Sequence, residues 1–548
     1  VSYKFNVAAQ DTSTSLTGAP SNEITVTPVY KGPYWYVAAS GGTASGTDNS
    51  DLGSREVPLN HLSSAIEAAA TGDTIVMLKG THTGSNNRGI NWGSTKKFVI
   101  MGDPDYPADS TIMDAGGRAR HFKFENGQDT TNQVIGLTLY NGKISGNEYE
   151  GGGSVLISNA SRPVFNKVIF RSNINESENW EGGGAVAIRS SSNPSFYHCT
   201  FEDNRVRRTG GENSNDASGG AIFIQGNAMN SSTFLNIDGC IFKNNAAYGK
   251  WGARGGAIYT SDAQVKITNS LFYNNTTWAN SDGSQNYSSG GGAINMQSPT
   301  YYSSSDNQWV GGKAIIINST FANNRTVTGN ISSNATSGSA VFMDSWSRSE
   351  KFWFFNNIVW GNIRGEKKEN SSTSEQVYIS NPSGWTSKNL NYNVIQNSGN
   401  LSAYQDDGSF ETDPTFADST NGDFSLSNAS GLIGQGGDSY ESVIAPTTDL
   451  LGLVRPNPSG SKPDIGAYEN SLAKTPYPAQ IKNLTAKGGS GEVTLSWDTS
   501  ADVDSVYKVY KHTSAFAPAS TYLLGTTTTT SYTISGLDNA TRYYFRVS

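Results

Sequence analysis

Two short apolar–polar signatures alternate between Gly151 and Asn362. One is Gly-Gly-Ala followed by an aliphatic residue: Gly183-Gly184-Ala185-Val186, Gly219-Gly220-Ala221-Ile222, Gly255-Gly256-Ala257-Ile258 and Gly291-Gly292-Ala293-Ile294. Weaker copies stand at Gly152-Gly153-Ser154-Val155 and Gly338-Ser339-Ala340-Val341. The other is Phe-x-x-Asn, at Phe170/Asn173, Phe201/Asn204, Phe242/Asn245, Phe272/Asn275 and Phe321/Asn324, with a degenerate copy at Val359/Asn362. The three central Gly-Gly-Ala intervals are 36 residues each. Self-similarity at a fixed period of this size predicts a solenoid in which each repeat is one coil stacked on the last.

Alternate residues of a strand face opposite sides, so aligning the copies predicts columns of like residues. On the Gly-Gly-Ala strand the inward columns are Val155, Val186, Ile222, Ile258, Ile294, Val341 and, two residues on, Ile157, Ile188, Ile224, Thr260, Met296, Met343. The outward column between them is Leu156, Ala187, Phe223, Tyr259, Asn295, Phe342. The Phe of Phe-x-x-Asn forms a third inward column, and five residues earlier Phe165, Phe196, Ile237, Ile267 and Ile316 form a fourth. The Gly pair admits backbone conformations closed to other residues, which predicts a sharp bend. The Asn is expected to adopt a left-handed conformation and to hydrogen-bond its counterpart in the next coil. Cys199 and Cys240 each stand two residues before their Phe. They are therefore expected to stack inside the coils, as a disulfide or as two buried thiols behaving as small hydrophobes.

Outside the clear repeats the pattern predicts a helix over 59–70 with Leu62, Ile66 and Ala69 on one face, placed to cover the first coil. Strands are expected at Gly72–Leu78, Phe98–Met101 and Ser110–Met113; Phe122–Gly127 and Gly136–Gly142 lead into the clear repeats, and degraded coils continue through Val377–Ile379 and Tyr392–Ile395 to Asp464–Glu469. At the two ends the alternation changes character. Val493–Trp497, Tyr507–Tyr510 and Tyr543-x-Phe545-x-Val547 read as antiparallel strands; with a core Trp497 and a Tyr543 at a corner, this segment resembles a fibronectin type III domain. Tyr3-x-Phe5-x-Val7 repeats the spacing of Tyr543-x-Phe545-x-Val547, and residues 18–28 look like a final strand of the same kind. These ends leave two readings: a window cut from a longer chain with such domains on both sides, or head-to-tail self-association in which residues 18–28 of one molecule complete the last sheet of the next.

The stretch 33–470 resembles bacterial surface proteins built on a right-handed parallel β-helix, and its paired signatures look like the repeats of the chlamydial polymorphic outer-membrane adhesins. The expectation is therefore an all-β chain: residues 1–31 as the C-terminal strands of a fibronectin type III-like domain, 32–475 as a right-handed parallel β-helix with a capping helix and a closing segment, and 476–548 as a fibronectin type III domain lacking its last strand. The resemblance carries no catalytic residue with it.

Composition narrows the chemistry. Only 16% of the 548 residues are charged, and the net charge of −8 argues against nucleic acid or an anionic membrane as partner. Five scattered His and two Cys give no metal-ligand cluster. No apolar run is long enough to span a bilayer. Asp48/Asp51 and Asp282-Gly283 are weak calcium signals, so no cofactor is expected. Between each Asn and the next Gly-Gly-Ala the length varies, so 174–182, 205–218, 246–254, 276–290 and 325–337 should emerge along one edge. The Gly291 copy carries a further excursion near Tyr301–Trp309. Insertions on one face of a solenoid are often its binding face.

Trp180, Tyr248, Trp251, Trp278 and Tyr287, with Arg205, Arg207 and Arg208, lie in these segments. They suit a glycan or a protein ligand; equally, the aromatics could only pin the loops together. Glycoside or polysaccharide cleavage needs paired carboxylates or a base beside a cation. The outward Gly-Gly-Ala column has neither, Glu202 and Asp203 read as a solvated turn, and Arg118, Arg120 and His121 read as a polar turn. The sequence thus points to a secreted or surface-anchored structural and adhesive protein or fibre unit, with a carbohydrate-binding or polysaccharide-degrading enzyme as the alternative.

Overall fold

A computed structural model describes residues 3–26, 30–39, 52–93, 95–146, 150–178, 182–208, 216–226, 233–250, 252–279, 290–297, 300–303, 308–311, 313–328, 338–344, 351–365, 371–372, 375–380, 387–398, 401, 409–472, 481–499, 506–514 and 520–548. Each repeat contributes four short strands in a fixed order, and each strand joins its own sheet. In the first clear coil these are Val155–Ile157, Val164–Asn166, Ile169–Arg171 and Ile174–Ser177. The four sheets they enter have 9, 11, 10 and 8 strands, and every pairing in them is parallel except the last of the eight-stranded sheet, between Ile363–Gly365 and Ser371–Ser372. The fold is all-β with stacked parallel sheets, consistent with a parallel β-helix.

The register pairs the predicted columns residue for residue. Val155, Val186, Ile222, Ile258, Ile294 and Val341 stand opposite one another in successive coils, as do Phe165, Phe196, Ile237, Ile267 and Ile316. All are buried in one continuous core. The Phe170, Phe201, Phe242 and Phe272 rings lie nearly parallel with centroids 4.5–4.6 Å apart. Isolated rings prefer an offset or edge contact; here the strand spacing of about 4.8 Å sets the stack.

Asn173, Asn204, Asn245, Asn275, Asn324 and Asn362 are fully buried and form the expected ladder. Each Nδ2 donates to the Oδ1 of the next Asn at 2.9–3.0 Å. The same Nδ2 donates to the carbonyl of the Phe one coil back, as from Asn245 to Phe201 at 2.9 Å. Gln376 ends the ladder by accepting from Asn362. The left-handed residue, however, is not the ladder Asn but the one before it: Ser172, Asp203, Asn244, Asn274 and Asn323 have φ of 54–57°, and Gly361 takes the same place. The bend must fall there so that the following side chain points inward. A second ladder runs at the neighbouring corner. The backbone N–H of Cys199 donates to Cys240 Sγ, that of Cys240 to Ser270 Oγ, of Ser270 to Ser319 Oγ, of Ser319 to Asn357 Oδ1 and of Asn357 to Asn393 Oδ1. Cys199 and Cys240 are buried free thiols, filling two rungs of that ladder.

The two glycines of Gly-Gly-Ala have different jobs. The first has positive φ, for example 66° at Gly219 and 62° at Gly255. The second admits close approach: a Cβ on Gly220 would collide with the carbonyl oxygen of Gly256. The outward column does not face water. Leu156, Ala187, Phe223, Tyr259, Asn295 and Phe342 are all buried, because the chain arriving at each Gly pair runs back over them. A Cβ on Gly182 would meet Phe223, and one on Gly290 would meet Phe342.

A helix, Leu62–Ala68, buries Leu62 and Ala65 at the first coil, and Asn87 Oδ1 accepts from the Leu62 N–H at its start. Residues 409–472 fold back along the outside of the ten-stranded sheet, where Phe424, Leu450 and Ala467 pack on Leu271 and Ala322. Thr320 Oγ1 accepts from the Ala467 N–H, and Asn318 Nδ2 donates to the Asp464 carbonyl. Inside this segment Arg455 is buried with Glu469 at 3.5 Å. Burial raises Glu469 to about 7 and Asp464 to about 6, although Arg455 pulls both the other way. Tyr3–Phe5 pairs antiparallel with Ile24–Val26. Thr485–Gly489, Glu492–Ser496 and Ser531–Ser535 form one three-stranded antiparallel sheet and Tyr507–His512, Leu523–Thr527 and Tyr544–Val547 another. Leu495, Trp497, Tyr507, Val509 and Ile534 form their core, and Tyr543 Oη accepts from the Asp538 N–H.

Replacing Asn245 with Ala strands several buried groups at once: the Asn204 N–H, one of the two N–H donors of its Nδ2, the Phe201 carbonyl and half of Asn275 Oδ1. The expected cost is on the order of 3 kcal/mol, since each unsatisfied buried group costs about 1–3 kcal/mol. Accelerated hydrogen exchange at the Phe201, Phe242 and Phe272 strands would register it, and unchanged exchange there would contradict the role given to the ladder.

Candidate functional site

Where they are described, the segments between Asn and Gly-Gly-Ala begin as strands. Lys143–Gly146, Ile174–Ser177, Arg205–Arg207, Ala246–Gly249, Thr276–Ala279, Arg325–Thr328 and Ile363–Gly365 form the parallel part of the eight-stranded sheet. Two returning segments, Asp216–Ser218 and Gly252–Arg254, pair with each other in parallel. Between the outgoing and returning strands lies a small-residue core of Val206, Ala217, Ala247, Ala253 and Ala279. The residue two beyond each ladder Asn points into this layer, and Asn175, Val206, Ala247, Thr277 and Thr326 are all fully buried. Their neighbours on either side therefore face the other way.

That outer face carries the candidate site. The register sets Arg207 opposite Tyr248 and Tyr248 opposite Trp278, with Arg205 on the same strand face two residues before Arg207. A cavity of about 750 Å³ lies over these rungs, lined also by Ile174, Glu176, Arg208, Gly249 and Lys250. The Tyr248 and Trp278 centroids are 6.0 Å apart with their planes tilted by 53°, and Trp278 is 42% exposed. Arg205 and Arg207 are exposed. Among the described residues neither of these two guanidiniums stands within ion-pair distance of a carboxylate; the nearby ion pairs are Lys143–Glu176 at 2.7 Å, Arg171–Glu202 at 3.2 Å, Lys243–Glu202 at 3.0 Å and Arg254–Asp216 at 3.1 Å.

Arg208 lines the cavity wall but is buried, donating to Ser177 O at 2.8 Å, Asn175 Oδ1 at 3.2 Å and Asp216 O at 3.3 Å. It ties the outgoing strand to its neighbour and to the returning strand. Of the residues singled out from sequence, Tyr248, Trp278, Arg205, Arg207 and Arg208 thus come together. Trp180, Trp251 and Tyr287, and the calcium signals Asp48, Asp51, Asp282 and Gly283, lie outside the described residues. Glu176 and Lys250 were not anticipated; Glu176 was legible as the residue one rung from Arg207.

The other charged residues are structural. Glu202 bridges Arg171 and Lys243 as an ion ladder across three coils. Arg120 and His121 are buried rather than lying in an open turn. Arg120 donates to the carbonyls of Glu150, Gly151 and Gly152. His121 contacts Ser154 Oγ and Met113 O, and burial lowers its imidazole to about 4. The excursion of the Gly291 copy is an antiparallel hairpin, Thr300–Ser303 with Gln308–Gly311.

A family model described as the Chlamydia polymorphic membrane protein repeat matches residues 239–261, a span holding Phe242/Asn245 and Gly255-Gly256-Ala257-Ile258. No curated protein matches the chain. With the stacked parallel strands, the match fits a bacterial surface protein. Among the described residues no helix is long and apolar enough to cross a membrane.

The two faces of the eight-stranded sheet should respond oppositely to mutation. Trp278→Ala, on the open face, is expected to change unfolding free energy by no more than about 0.5 kcal/mol. Ala247→Leu, in the small-residue layer, is expected to cost about 1–3 kcal/mol by overpacking. Denaturation of both variants checks this; a large loss on Trp278→Ala would mean that the aromatics serve packing.

Proposed function

We propose that the chain is an extracellular adhesive surface protein or unit of a cell-surface fibre: a right-handed parallel β-helix over 32–475 that displays a ligand-binding groove, flanked by the C-terminal strands of a fibronectin type III-like domain at 1–31 and by a fibronectin type III domain lacking its last strand at 476–548. The observation that carries this reading is the groove itself. The core, ladders and ion pairs use side chains on each other, whereas Arg205, Arg207 and Trp278 are held on a stiff sheet with their ends in solvent. Tyr and Trp at such a surface offer an apolar face beside a polar edge, which suits a sugar ring or a protein side chain.

The modules rest on the two antiparallel sheets over 485–547, the Trp497–Tyr507 contact at 5.4 Å and the Tyr543–Asp538 hydrogen bond. These follow the arrangement of a small β-sandwich with a tyrosine corner. The polymorphic membrane protein repeat supports the surface location. For the enzyme alternative the groove offers little. Among the described residues Glu176 is the one carboxylate lining it and is tied to Lys143, while cleavage needs two carboxylates or a base beside a cation.

A glycan array read together with reducing-end release tests the proposal on the intact chain. Binding without release is expected. Release of new reducing ends would contradict an adhesive role, and absence of any glycan binding would remove the carbohydrate arm of the reading.

A further inference from the structure

We propose that the groove takes an acidic oligosaccharide, with uronate carboxylates or sulfate groups at Arg205 and Arg207 and sugar rings on Tyr248 and Trp278. The inference rests on the ligand-binding reading above and specifies the ligand's charge.

The chain as a whole carries a net charge of −8, so its general field repels anions. Against that field the groove sets Arg205 and Arg207 side by side with both side chains exposed. Among the described lining residues the one carboxylate, Glu176, is paired with Lys143 at 2.7 Å, so its rung does not cancel the arginines beside it. A guanidinium is a planar fork that meets a carboxylate or sulfate through two parallel N–H donors. Two such forks on one strand face, both exposed, offer more donors than a neutral sugar would use.

The aromatics supply the rest of the geometry. Successive rungs are about 4.8 Å apart, so Tyr248 lies one rung and Trp278 two rungs from Arg207. The two rings are tilted by 53° and do not cover each other. Trp278 is exposed and Tyr248 partly so; a sugar set against them places an acid group on the same or the adjoining ring toward Arg207. A nucleic acid would present the same negative charge along its whole length to the −8 chain, which a short acidic saccharide does not.

Calorimetry on the full chain with a heparin hexasaccharide, a hexagalacturonate and uncharged cellohexaose tests the inference. At least one acidic hexasaccharide is expected to bind roughly tenfold or more tighter than cellohexaose, with affinity falling as salt rises. Arg207→Gln and Trp278→Ala are each expected to weaken that binding by roughly tenfold. Lys487→Ala, at an exposed lysine far along the chain, should leave it unchanged. Equal binding of cellohexaose, undiminished by Arg207→Gln, would overturn the acidic specificity and leave a neutral glycan site standing. Acidic binding lost as readily with Lys487→Ala, and indifferent to Trp278→Ala, would reveal diffuse charge attraction and overturn the inference. Binding by none of the three would overturn it together with the glycan reading.

Discussion

The structure depends on one constraint: the polar groups buried at the coil corners are satisfied by the coils before and after them. The Asn245 side chain is fully buried, and its hydrogen bonds run to the adjoining coils. It is held by Asn204 on one side and Asn275 on the other, and it closes on the Phe201 carbonyl. Leaving such a group unpaired in the interior would cost about 1–3 kcal/mol. A slip of one residue in any strand would strand every rung beyond it and turn the Phe and Ile columns outward. Register is therefore specified twice, once by apolar burial and once by hydrogen bonds.

This constraint explains what the sequence makes legible. A column built by like stacking on like must repeat its residue type, so the Ile, Phe and Asn columns can be read directly. The second ladder is harder to see because Cys199, Ser270 and Asn357 do the same work with different atoms. The left-handed corner is held by Ser172, Asp203, Asn244 or Gly361, a set too mixed to announce itself beside an invariant Asn. Strand alternation places Phe223 and Tyr259 outward, as expected. That outward meant buried follows from the returning chain, whose path no local pattern encodes.

The same logic separates scaffold from site. The eight-stranded sheet has a buried face as uniform and small as Ala247 and Ala279 require. Its other face is free to vary, and it changes from Glu176 to Arg207 to Tyr248 to Trp278 over four rungs. The aromatics and arginines were visible in sequence as a set of residues. Their arrangement was not, because it depends on the excursions starting as in-register strands. Arg208 shows the limit: it sits one residue from Arg207 in sequence, yet the fold commits it to the carbonyls of Ser177 and Asp216.

Hydrogen exchange on the intact chain, with and without the acidic hexasaccharide that binds best, tests the central claim that the coils are scaffold and the eight-stranded sheet is the ligand surface. Slowed exchange confined to residues 205–208, 246–250 and 276–279, with the Gly-Gly-Ala and Phe-x-x-Asn strands unchanged, is the predicted result. Protection centred on the ten-stranded sheet, on the closing segment or on residues 485–547, with 205–208, 246–250 and 276–279 unaffected, would contradict it.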